Sequence, residues 1–197
     1  MRSVAVSVLV VIALLATACG SDTSDDPPPY PNLVLLPSGI GRYTVGNPAD
    51  EVIEGLSRQI GGFDADSLEE DSSVLVPDCD GLPTRLVSWG NLVLLFVTDG
   101  AAEVFHTWSY GFDPVNGNAE DSRDLRLETE EGLSLTSTRP ELIDLYGARV
   151  TVVDNPAIDL ASYTIDTAND EHLAGNLASV EPDARVQLIE RVPNCEA

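Results

Sequence analysis

Two stretches of this chain, ninety residues apart, follow one plan, and together they narrow the folds open to it. The first is Tyr43-Thr44-Val45-Gly46-Asn47-Pro48-Ala49-Asp50-Glu51-Val52-Ile53-Glu54; the second runs from Leu133 to Gly147. Each opens on an alternating apolar pair, the two-residue period of a strand, and then turns to a helix start. Asn47 is placed to cap a helix whose first residue is Pro48, and Thr138 with Glu141 spells a capping box. Gly61 and Gly147 mark where the helices stop, so both are short.

Strand-like runs follow each helix. After the first come residues 84–89, 92–97 and 104–110, separated by Gly90-Asn91 and by Thr98-Asp99-Gly100-Ala101 as hairpin turns. After the second come residues 149–153, 163–166, 173–177 and 185–191, with looser turns. A short helix followed by an antiparallel β-meander, twice over, predicts an α+β fold. It is a tandem repeat with its helices packed on one face of the sheet. The repeats span residues 33–112 and 125–197, joined by a connecting loop at 113–124.

The N-terminus carries an address. Met1-Arg2 precedes an uncharged run from Ser3 to Ala18, rich in Val, Leu, Ile and Ala, and then Cys19-Gly20-Ser21-Asp22. One positive charge, a short apolar stretch and small residues before a break are the parts of an export signal. The run falls short of the ~20 residues of a comfortable membrane span, and no basic stop-transfer cluster follows it. Leu15-Ala16-Thr17-Ala18-Cys19 resembles the lipobox of bacterial lipoproteins, although Ala16 stands where that family usually has Leu. The resemblance implies removal of residues 1–18 and a diacylglycerol thioether on Cys19, with palmitate-type chains that hold the protein to a bilayer. Residues 19–32, acidic and rich in proline, then serve as an extended tether.

Charge excludes one partner class. The chain carries 33 acidic residues against 10 basic ones, every basic residue is Arg, and the formal net charge is −23. Cleavage before Cys19 removes Arg2 and no acid, so the mature chain is more negative still. Such a field repels nucleic acid, and no nucleic-acid partner is expected. Of the three cysteines, Cys19 goes to lipid. Cys79 and Cys195 remain in an oxidising compartment, where a disulfide is the natural pairing. The alternative, a two-cysteine metal site, has no nearby His or Cys to complete it.

Catalytic chemistry has little support. His106 sits in an apolar and aromatic strand between Phe105 and Trp108, and His172 lies in the polar run Asn169-Asp170-Glu171-His172. A triad needs a serine near one of them and a carboxylate behind it, and no Gly-x-Ser-x-Gly elbow is present. The acidic pairs Glu69-Glu70 and Glu130-Glu131 are read as solvated, as befits so acidic a chain. There is no phosphate loop and no dinucleotide fingerprint, so no cofactor is expected. Asp113, Asn116, Asn118, Glu120 and Asp121 supply the oxygens of a candidate calcium loop, at a spacing unlike the EF-hand. The aromatic residues Trp89, Phe96, Phe105, Trp108, Tyr110 and Phe112 cluster in the first meander. By alternation some point out of the sheet, so Trp89, Trp108 and Tyr110 become candidate binding anchors, with a packed core as the alternative.

The strings Val45 to Ile53, Val87 to Leu92, Phe105 to Trp108 and Gly132 to Gly147, with the near-terminal Cys195, resemble uncharacterised secreted and lipid-anchored domains of high-GC Gram-positive bacteria. The resemblance covers most of residues 39–195, in short motifs; that group often has Gly where Thr136 stands. The helix-then-meander duplication is also similar to the tandem architecture of the β-lactamase inhibitory proteins and the SmpA/OmlA-type lipoproteins. Those families bind proteins and catalyse nothing. The expectation is therefore a lipid-anchored module on the extracytoplasmic face of the cell membrane that binds an envelope protein or a small ligand. An envelope hydrolase with an unfamiliar site and a passive structural lipoprotein are the competing readings.

Overall fold

The computed structural model describes residues 30–69, 84–100, 102–111, 123–167 and 171–192. Cys19, Cys79, Cys195 and the Asp113–Asp121 loop lie outside the described residues. The described chain begins with a small antiparallel sheet of three two-residue strands, β1 (Leu35–Leu36), β2 (Gly39–Ile40) and β3 (Tyr43–Thr44). Helix α1 (Ala49–Ile60) follows. Its apolar residues fall three to four apart, and Val52, Ile53, Leu56 and Ile60 are buried, while Glu51, Glu54 and Gln59 face water. Asp50 and Glu51 occupy the first turn, where the helix dipole favours negative charge. Asn47 does not cap this helix. Its side-chain oxygen accepts the backbone N–H of Thr44 at 2.9 Å, so it closes the turn that leads into the helix. The helix starts at Ala49, one residue later than the sequence suggested, and ends before Gly61.

Strands β4 (Ala65–Glu69), β5 (Thr84–Trp89), β6 (Leu92–Asp99) and β7 (Ala102–Tyr110) then form an antiparallel meander. Helix α2 (Arg139–Tyr146) comes next, and its start matches the expected box: the Glu141 carboxylate accepts the backbone N–H of Thr138 at 2.7 Å and the Thr138 hydroxyl at 2.9 Å. These bonds hold the Glu141 carboxyl below its ordinary range, the backbone N–H first among them. A 3₁₀ turn at Gly147–Arg149 leads into β8 (Val150–Asn155), β9 (Leu160–Asp166), β10 (His172–Leu177) and β11 (Val186–Arg191). The eight strands make one sheet in the order β4-β5-β6-β7-β11-β10-β9-β8. The fourth strand of each group meets the other at the middle, with Ile189 opposite Tyr110 and Glu190 opposite Ser109. The protein is α+β, with a mostly antiparallel sheet and few helices.

One apolar cluster joins the entry segment (Leu33, Leu35, Ile40, Tyr43), both helices and the sheet. A second, smaller cluster of Leu95 and Val97, with Leu86 and Val104 packed on it, lies on the opposite face of the first meander. The entry segment is pinned through its carbonyls. The Trp108 indole N–H donates to Leu36 O at 3.1 Å, and the Arg191 Nε donates to Pro37 O at 2.8 Å. Arg191 also reaches His106 O at 3.2 Å and is only 8% exposed. Its guanidinium thus satisfies backbone acceptors in the interior, where an unpartnered charge would cost several kcal/mol (roughly).

Candidate interaction surface

The three aromatic anchors suggested by the sequence are core residues. Trp89, Trp108 and Tyr110 are 0%, 1% and 1% exposed, so none is available to a partner. The reason is alternation: Leu92, Leu94, Trp108 and Tyr110 fall on the face that the helices and the entry segment cover. Trp89 packs edge-on against Phe63, with ring centroids 6.4 Å apart. The Tyr110 hydroxyl donates to Asp124 at 3.0 Å and accepts Leu127 N–H at 3.0 Å, and burial pushes the phenol up from its ordinary value. These bonds tie the start of residues 123–127 beneath the first meander.

The histidines stand apart. His172 Nδ1 lies 3.2 Å from Asp166 Oδ1, and both side chains are substantially exposed on neighbouring strands. His106 is half-buried; desolvation, then the Arg191 charge, holds its imidazole below the ordinary value. Of the acidic pair at 130–131, Glu131 accepts the Tyr146 hydroxyl at 3.1 Å and pairs with Arg149 at 3.1 Å, a structural role. Among the described residues, no three His, Cys, Asp or Glu side chains gather as metal ligands would.

What the structure does leave open is the end of the sheet at β8. Five large hydrophobic residues are exposed among the described residues, and three belong to elements at this end: Val153 (59%) on the strand, on the face away from the core, Ile158 (65%) in the turn after it, and Ile143 (43%) on α2. Val150 and Val152 turn to the core and pack on it, while Thr151 and Val153 face water. Arg139, at the first residue of α2, ties this region together. Its guanidinium donates to both Asp154 oxygens, at 2.9 and 3.2 Å, and to Val180 O at 3.2 Å. The fork matches the carboxylate as a bidentate pair should. Beside this pair, Pro140, Ile143, Val180 and Pro182 wall a groove of about 550 Å³, with Asp144 at its margin.

The opposite end of the sheet is guarded differently. On β4, Asp66 receives two bonds from Arg85, at 2.7 and 2.8 Å, and Arg85 also reaches Glu103 at 3.0 Å. The Arg85 guanidinium holds the Asp66 carboxyl below its ordinary range. Charge placed on an edge strand is a common device against unwanted pairing; β4 has it, and β8 from Val150 to Val153 does not.

Sequence reasoning overlooked Arg139, Ile143, Val153 and Asp154. The available signal was the doublet Val152-Val153, which breaks the alternation of a half-buried strand. Comparison with family models, with curated proteins and with solved structures gave no match.

Proposed function

We propose that this chain is a lipid-anchored protein of the bacterial cell envelope, acylated on Cys19, whose body binds another protein and carries no catalytic site. The observation that carries the binding reading is the open edge of β8, which ends the sheet among the described residues with Val153 exposed upon it. An unpaired strand edge beside a groove is a place where partners add. The anchor reading rests on the cysteine with small residues before it and on the short apolar run upstream.

We also read the body as a duplication, with both helices on the same side of the sheet. Four backbone observations support this. Asn47 O accepts Phe105 N–H at 2.8 Å, and Ser137 O, ninety residues on, accepts Val186 N–H at 2.9 Å. Pro48 bridges Val104, and Thr138 bridges Arg185. Each helix start is thus stitched to the beginning of the fourth strand that follows it. Both helices feed one core cluster. Read this way, the body follows the tandem plan that the sequence suggested by analogy with the β-lactamase inhibitory proteins and the SmpA/OmlA-type lipoproteins, an analogy of architecture that favours binding over catalysis.

A paired experiment tests the reading. The full chain, expressed in a high-GC Gram-positive host, is labelled with radioactive palmitate, and a photo-crosslinking residue replaces Val153 or, as control, Asp50 on α1. Label that disappears in Cys19→Ser, with a discrete crosslinked species from position 153 and none from position 50, supports the proposal. Equal crosslinking from both positions, or none from either, overturns the binding surface; label retained in Cys19→Ser overturns the anchor.

A further inference from the structure

The β8 edge has a geometry that selects one kind of partner. The strand pairs with β9 over six consecutive residues, from Val150 opposite Ile165 to Asn155 opposite Leu160, with no bulge. It ends the sheet, so among the described residues its outer edge pairs with no strand. A regular, unpaired edge without proline, whose one charged residue, Asp154, is tied to Arg139, is a template for another strand, because its outward N–H and C=O groups stand in a regular row. Natural chains guard such edges, as β4 does here. An edge left open beside a groove is where a partner adds.

We infer that β8 accepts an extended segment of another protein as a ninth antiparallel or parallel strand, and that this segment is basic. The inference rests on the proposed reading of the edge as a docking surface and names the partner's chemistry. Main-chain pairing along residues 150–155 supplies the hydrogen bonds. Alternate apolar side chains of the incoming strand lie over Val153 on one face and reach toward Ile143 and the groove on the other. The charge of the partner follows from its surroundings. The chain carries −23 overall, and Asp144, Glu181 and Asp183 stand on α2 and on the 179–184 segment that borders the groove. Of the cations nearby, Arg139 is committed to Asp154, Arg149, just before the strand, to Glu131, and Arg185 lies within electrostatic reach of Glu141, so the acids of this end are in excess. Lysine or arginine in the partner complements this field and speeds encounter. A second copy of the chain does not, since it presents the same acids and the same net charge.

The test uses the full chain in detergent micelles and three eight-residue peptide probes. One alternates Val and Lys, one alternates Val and Glu, and one is the Val–Lys peptide with every backbone nitrogen methylated. The expected result is that the Val–Lys peptide binds at least tenfold more tightly than either of the others and slows hydrogen exchange in β8. Val153→Lys, at an exposed position that leaves folding intact, weakens the Val–Lys peptide at least tenfold and strengthens the Val–Glu peptide. Equal affinity for the methylated peptide overturns strand addition, and equal affinity for the Val–Glu peptide overturns the basic partner. A dimer in the absence of peptide that Val153→Lys dissolves assigns the edge to a second copy. Protection of β8 in the free full chain, without dimerisation, assigns it to the chain's own segment. Should the peptides fail while the crosslink from position 153 persists, strand addition falls and the binding surface stands; loss of both removes both.

Discussion

Gly55 and Gly175 each make room for a tyrosine ring, and the room they make differs in kind. A Cβ on Gly55, in α1, would lie 1.9 Å from the Tyr43 hydroxyl, the far end of a side chain. A Cβ on Gly175, in β10, would lie 1.8 Å from the Leu188 carbonyl oxygen and 2.5 Å from the Tyr163 hydroxyl. Alanine in a helix gains about 0.8–1.0 kcal/mol over glycine, whereas overpacking a filled site costs typically ~1–3 kcal/mol. At Gly55 the two oppose each other, and the buried Tyr43 has little freedom to move, so Gly55→Ala is a net loss of about 1 kcal/mol. At Gly175 there is no helix gain and the obstacle is backbone, so Gly175→Ala loses about 3 kcal/mol or fails to fold. Urea midpoints of the two variants check the order; a Gly175→Ala milder than Gly55→Ala would mean that the β10–β11 pairing yields. Glu190 gives a second residue-scale test. Burial raises its carboxyl above the ordinary value. The folded state therefore holds this proton more tightly than the unfolded state does. Its contribution is most favourable below the unfolded carboxyl range and is lost as pH rises through that range toward the folded value. Glu190→Gln, which keeps the neutral shape, should raise the unfolding midpoint at pH 7 and leave it unchanged near pH 3. A lower midpoint at pH 7 would mean that the ionised carboxylate is stabilising.

At the scale of elements, α2 is the piece most dependent on its surroundings. Eight residues are too few to stay helical alone, and the helix is held by its Glu141 box, by Leu142 and Tyr146 in the core, and by the Arg139 fork on Asp154. Asp154 is 45% exposed in that pair, so its share of global stability is small, about 0.2–1 kcal/mol. Its local effect is larger, because it joins the helix start to the edge strand β8. Arg139→Ala should speed hydrogen exchange of the α2 amides several-fold relative to α1, with a loss of less than about 1 kcal/mol overall; unchanged exchange in α2 would remove Arg139 from that role. Both helices and the strands β5, β6 and β7 were legible in the sequence because each has its own periodicity and a glycine or capping residue at its border. The entry sheet was not, since two-residue strands have no period. Nor was β4: Ala65-Asp66-Ser67-Leu68-Glu69 is polar, and it becomes a strand by pairing with β5 and through the Asp66–Arg85 bonds, which are tertiary. The candidate surface was illegible for the same reason. Local pattern shows that Trp108 and Tyr110 share a face but not which face the helices cover, and strand order alone makes β8 an edge.

At the scale of the whole molecule, the sheet order bears on the two remaining thiols. Thr84 opens β5 opposite Val97, and Val97 lies opposite Val104, near the start of β7. Arg191 closes β11 beside His106 of β7, running toward the same end of the sheet. Between β5 and β11 lie three strand spacings, roughly 14–15 Å. Cys79 precedes Thr84 by five residues and Cys195 follows Arg191 by four. At about 3.3 Å per extended residue, each arm can cross most of that gap. A disulfide between them closes a loop of more than a hundred residues, from the first meander to the end of the second. The chain-entropy model gives such a loop up to ~4–5 kcal/mol, less any native strain. For a body of this size that corresponds to roughly 10–15 °C in midpoint. Acylation of Cys19, as proposed, takes that thiol out of play, so Cys79→Ser, Cys195→Ser and the double variant should lose the same midpoint, and reductant should lower the parent to match them. A non-reducing digest should contain the 79–195 crosslinked peptide. If both thiols of the native oxidised protein instead react with a thiol reagent, or the two single variants differ by more than a degree or two, the halves are held by the β7–β11 pairing and the shared core alone.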